Sequence, residues 1–165
     1  MSEADIEELH EAERSSHAIY GLVIITATLV ADHEFATDAL VSMLVLWGAA
    51  LVLVLAHVYS GLIAQISETD RRLTYAERHV LIADNIPVAA SVILPTILLV
   101  LAAIGLMDLR VALDLSILVS VGSLFAVGMY QARQQGAPIA HQVGIGALGA
   151  ALGIVVIMAE VVLSH

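Results

Sequence analysis

The chain has 165 residues, 60% of them hydrophobic, and a mean hydropathy of +0.96; a soluble domain is nearer half apolar, so this composition describes a membrane protein. A formal net charge of -10 excludes a nucleic-acid surface, which needs a basic face. The absence of cysteine excludes disulfides, thiolate metal sites and cysteine nucleophiles.

Residues 1–15 form an acidic segment holding Glu3, Asp5, Glu7, Glu8, Glu11 and Glu13. This is the opposite of the basic start of a secretory leader, so no cleavage is expected. The segment reads as a short acidic helix in the cytoplasm that runs into a transmembrane domain over residues 16–165. His10, Glu13 and His17 share a helical face at i, i+3 and i+7, a spacing that permits metal binding. A run this acidic is more often a solvated face, and that reading is preferred.

Five apolar runs follow. The first covers residues 16–31, slightly short for a hydrocarbon core of about 30 Å, and is followed by a polar turn over residues 32–38. The second covers residues 40–66, with Trp47 nearer one end and His57, Tyr59 and Ser60 nearer the other. A polar loop over residues 67–79 carries Arg71, Arg72 and Arg78. The third span starts within that loop at Thr74 and runs to Leu106. Thr74 and Glu77 make a capping box, which satisfies amide groups at a helix start. This span carries Asp84 and Asn85 into the apolar region, with Pro87 and Pro95 each removing an internal hydrogen bond. A tight link over residues 107–110 leads to the fourth span, residues 111–132. The turn over residues 133–138 places Pro138 where a helix's first turn accepts proline, and the fifth span is residues 139–164.

The fold class expected is therefore an all-α integral membrane protein of five transmembrane helices. Its six basic side chains are all arginine. Arg14, Arg71, Arg72, Arg78 and Arg133 fall on one side, and Arg110 alone falls on the other. In loops this short the positive-inside rule then puts the N-terminus in the cytoplasm and the C-terminus outside, in a multi-pass cell-membrane protein.

The ionisable residues within the spans carry the chemistry. His57 lies roughly 12 Å from the inner end of the second span at 1.5 Å per residue, and Asp84 enters the third span from the same side. Charged groups in spans usually face a cavity or pathway, so His57, Asp84 and Asn85, with Tyr59 or Tyr20 nearby, form a candidate cation site or proton relay. His57 and Asp84 are its metal-ligand candidates. The plainer reading is a buried pair that only fixes helix packing. Asp114 and Glu160 form a second, outer candidate site, and for these the plain reading is preferred because both can reach the interface. Met43 and Met158 read as core residues. Ala112, Ser116 and Ser120 in the fourth span, and Ala140, Gly144, Gly149 and Gly153 in the fifth, give small-residue faces for close helix approach. Packing within the monomer is preferred over a homodimer contact. There is no nucleophile elbow, phosphate loop or HExxH pattern, so an enzyme is not expected and no resident cofactor is called for.

Several short patches share a pattern with a known family. They are Ile19-Tyr20-Gly21-Leu22 opening the first span, Ser42-Met43 in the second, Leu94-Pro95 in the third, Leu124-Phe125-Ala126-Val127-Gly128 before Arg133, and the glycine-alanine run over residues 144–151. With the five-span, N-inside plan, they resemble the vacuolar iron transporter family, most strongly over the last two spans. The resemblance implies a homodimer that exports ferrous or similar divalent cations from the cytoplasm, driven by protons, along a path at the dimer interface. It also implies a path role for Met43. The departures are definite as well. The aspartate that the family places soon after the tyrosine-glycine pair is replaced here by Val23-Ile24-Ile25. Ala49 follows Gly48 where the family has glutamate, and the loop over residues 67–79 is too short for the cytoplasmic metal-binding helices of larger members. The function expected is a small divalent-cation or proton-coupled transporter, with a non-transporting membrane subunit or scaffold as the alternative.

Overall fold

The computed structural model describes the backbone over residues 3–69 and 91–163, and side chains over residues 19–60 and 91–159 together with Ile63, Val161 and Val162. Within these residues the chain is helical, with no strand. In chain order the helices are α1 (Glu3–Phe35), α2 (Ala39–Thr69), α3 (Ile93–Ala103), α4 (Leu109–Gln134) and α5 (Ile139–Leu163). The capping box at Thr74 and Glu77, and Pro87 within the third span, lie outside the described residues.

The polar punctuation sets the helix ends. The acidic segment and the first span are one continuous helix of 33 residues, and the expected turn over residues 32–38 shrinks to Ala36, Thr37 and Asp38. Asp38 starts α2 by accepting the N–H of Leu40 at 2.7 Å and of Val41 at 3.3 Å, which satisfies amides that a helix start leaves without partners. Asp108 does the same for α4, accepting the N–H of Arg110 at 2.9 Å. α3 ends at Ala103, earlier than the expected Leu106, because Gly105 turns left-handed at φ +76°. The N–H of Gly105 then donates to Ala102 O, and that of Leu106 to Leu101 O, both at 3.0 Å. Gly136, at φ +69°, closes α4 with the same pair of bonds, from Gly136 to Arg133 O and from Ala137 to Ala132 O. Pro138 stands one position before α5, where its carbonyl accepts the N–H groups of His141 and Gln142.

α4 is the central element. It packs against α1, α3 and α5, while α1 also touches α2 and α5, and α2 touches α3. Its buried stripe advances by fours through Ala112, Ser116, Ser120, Leu124, Gly128 and Ala132, the first three of which are the small-residue face expected for close approach. The two serines bond back into their own helix, Ser116 to Ala112 O at 2.7 Å and Ser120 to Ser116 O at 2.9 Å, so they cost little where they are buried. Around the first half of this stripe Ile25, Leu29, Leu46, Val92, Leu99 and Leu113 close the core.

The contact between α4 and α5 is made through backbone. A Cβ added at Gly149 would lie 2.6 Å from Leu124 O, and one added at Gly146 would lie 2.9 Å from Phe125 O. Gly128 meets α5 in turn, where an added Cβ would lie 2.9 Å from Ile145 O. The two runs that carried the strongest family resemblance therefore pack on each other. Gly149 and Gly153 belong to this internal face as expected, whereas Ala140 and Gly144 are exposed, with open space at Gly144.

The outside of the bundle is apolar. Leu44, Val52, Leu118, Leu148, Val155 and Val162 are all exposed. Three helices, Ala39–Ser60, Leu109–Gln134 and Ile139–Ala159, are long and apolar enough to cross a membrane, and only 11% of the last is buried. α3, over Ile93–Ala103, is a shorter apolar helix. An apolar surface of this extent is what a chain surrounded by lipid presents.

Candidate functional site

The ends of the helices converge at one end of the bundle. Asp38 and Ala39 from the start of α2, Ala102 and Ala103 from the end of α3, and Leu109 from the start of α4 line one cavity of about 260 Å³. A second cavity, of about 250 Å³, is bounded by His33 and Glu34 of α1, Asp114 and Ile117 of α4, and Ile157 and Val161 of α5. α1, α3 and α5 therefore run towards this end, and α2 and α4 run away from it.

Here His33 Nε2 approaches Asp114 Oδ1 at 3.1 Å, with the imidazole 28% and the carboxylate 66% exposed. The pair joins α1 to α4. The two groups lie at ion-pair distance, although the approach does not meet hydrogen-bond geometry. Two more buried atoms without a hydrogen-bond partner among the described residues are Asp32 Oδ2 in the last turn of α1 and Ser42 Oγ in the first turn of α2. Away from this end, the buried hydroxyl of Thr26 is satisfied by Leu22 O at 2.7 Å.

Asp114 is thus partnered by His33, a residue that reads in the sequence only as part of a polar turn. No local signal links them, because the two meet across different helices. Glu160 lies on α5 just before Val161, and its side chain is outside the described residues.

At the other candidate site, His57 is half-buried on α2, and its Nδ1–H donates to Leu53 O at 2.9 Å. Asp84 and Asn85 lie outside the described residues, so their place relative to His57 does too. Met43 is half-buried and packs against the hydrophobic core beside Ser42. Tyr20 and Tyr59, expected near this set, are exposed at 60% and 66%, on the surface of the bundle. The side chains of His10, Glu13 and His17 are outside the described residues. Among the described residues no group of three or more His, Asp or Glu is placed to hold a metal ion.

A polar bond also ties α2 to α3. Trp47 Nε1–H donates to Thr96 Oγ1 at 3.0 Å, and Thr96 in turn donates to Val92 O at 2.6 Å. Such bonds hold helices together in lipid, where apolar contact alone gives little net drive.

No family model, no curated protein and no solved structure matches this chain.

Proposed function

We propose that the protein is a five-span cell-membrane protein, with its N-terminus in the cytoplasm and its C-terminus outside, that moves a small divalent cation or couples cation movement to protons. The metal ion is its substrate. The reading is supported chiefly by the His33–Asp114 pair, which lines a cavity with Glu34 at one end of a bundle whose outside is apolar. Ionisable groups are costly within a bilayer and, where retained, usually line an ion or water route. His57 is a second such group, held by its own helix with one nitrogen directed by Leu53 O. The resemblance to the vacuolar iron transporter family points the same way.

The alternative is a non-transporting membrane subunit or scaffold, favoured by the broad exposed face of α5 at Leu148, Leu152, Val155 and Val162. Purified protein in liposomes separates the two. A transporter is expected to move at least one of a panel of divalent cations, with an accompanying internal pH change, above protein-free vesicles. No flux across the panel, together with a stoichiometric partner on purification, selects the scaffold.

The orientation has its own test. With cysteines introduced at Ala4, Ala36 and Ala137, a membrane-impermeant thiol reagent applied outside cells is expected to label only the Ala36 position, in the turn between α1 and α2. Labelling at Ala137 from outside would reverse the topology.

A further inference from the structure

At the end of the bundle opposite the His33–Asp114 pair, the turn between α4 and α5 opens a groove of about 680 Å³. One part of it is apolar, lined by Phe125, Ala126, Met129 and Ile139, and the other is polar, lined by Tyr130, Arg133 and Gln142. We infer that this groove holds an anionic glycerophospholipid, with its phosphate at Arg133 and an acyl chain running along Met129 and Phe125.

Charge complementarity identifies the occupant. In a chain of net charge -10, the stretch over residues 115–159 contains no Asp or Glu, and Arg133 is its one arginine. Among the described residues Arg133 has no carboxylate partner, and the acidic residue nearest to it along α4 is Asp114, at the far end of the helix. Arg133 is exposed on the last turn of α4, the level at which a spanning helix leaves the hydrocarbon. The start of α5 lies beside it, and helix N-termini carry the positive end of the dipole and free amides, both of which favour a phosphate. Tyr130 accepts a bond from Gln134 Nε2 at 3.1 Å, which leaves its own hydroxyl proton to donate, and its ring is 59% exposed in the position of an interfacial aromatic. Gln142 Nε2 donates to Ala137 O at 2.8 Å, so its carbonyl oxygen remains the acceptor for lipid hydroxyls. From Arg133 to Phe125 the helix descends roughly 12 Å, within the reach of one acyl chain in its own leaflet. A second copy of the chain would bring another Arg133 to the same place, and like charge disfavours it.

The inference rests on the membrane reading and is independent of transport. The test uses the full-length chain in a neutral detergent, with native mass spectrometry and thermal melting after addition of phosphatidylglycerol, phosphatidylcholine or inorganic phosphate. Phosphatidylglycerol is expected to be retained and to raise the melting temperature, and the other two to do neither. Arg133→Gln is expected to weaken phosphatidylglycerol retention about five-fold, the loss associated with one basic residue at a membrane surface. Ala126→Trp, which fills the apolar part and leaves the charge in place, is expected to weaken it as well. Equal retention of the two lipids, an equal shift with inorganic phosphate, or retention untouched by either substitution would overturn the assignment. A dimer mass that Ala126→Trp abolishes would overturn it in favour of a second copy. A chain that stays in the aqueous phase without detergent would remove the membrane premise itself, an outcome distinct from all of these.

Discussion

Gly149→Ala is expected to destabilise the protein by about 3 kcal/mol, at the upper end of the range for overpacking a close-packed site. The added methyl would lie 2.6 Å from Leu124 O and 3.2 Å from Leu124 C, atoms of the α4 backbone that cannot rotate away as a side-chain tip can. Relief requires α4 and α5 to separate. That would loosen Gly128 against Gly146, and Gly153 against Val121, along the same seam. The gain in helix propensity from replacing glycine, about 1 kcal/mol, is too small to offset this. Gly144→Ala is the matched control on the same helix. Nothing lies within 4 Å of a Cβ there, so it is expected to be neutral or to stabilise by up to about 1 kcal/mol. Thermal melts of the two variants in one detergent decide the matter. Equal effects would mean that α4 and α5 do not meet through these glycines.

On the transport reading proposed above, His57→Gln is expected to lower cation flux in liposomes strongly while the melting temperature stays close to that of the parent. A glutamine amide replaces some of the ring's hydrogen bonding but cannot take up a proton, so a role in proton coupling is lost where a role in packing is partly kept. His57 is held on α2 by the bond from its Nδ1–H to Leu53 O at 2.9 Å. Asp84→Asn is expected to act in the same way if the two residues serve one path. The opposite pattern, a lowered melting temperature with flux intact, would give His57 a purely structural role. The paired readout matters, since a loss of flux alone would not separate a broken path from a loosened bundle.

The positions of the helices were legible from elementary signals. Runs of apolar residues broken by the polar stretches at 32–38, 107–110 and 133–138 match α2, α4 and α5 within a few residues. The ends were misjudged where local backbone chemistry overrode hydropathy. Ile104 and Leu106 are apolar enough to extend the third span, but the left-handed conformation of Gly105 stops α3 at Ala103. Asp32, His33 and Glu34 read as a turn, yet the backbone stays helical through Phe35, because polar side chains near a helix end need not break it.

What the sequence determined by itself is the solvent and the elements: the chain's apolar excess and the length of its runs leave helices in a membrane as the arrangement that satisfies its backbone groups. What only the tertiary structure decided is which residues meet. Gly144 and Gly149 are equally small, and the sequence does not distinguish them, but the crossing of α5 over α4 buries one against Leu124 and leaves the other open. His33 and Asp114 likewise belong to different helices and different polar clusters, and they become a pair because α1 packs on α4 in one register. Hydropathy is a property of each residue and each run, whereas helix register and crossing are properties of two surfaces fitted together, and those set the place of every polar group in the bundle.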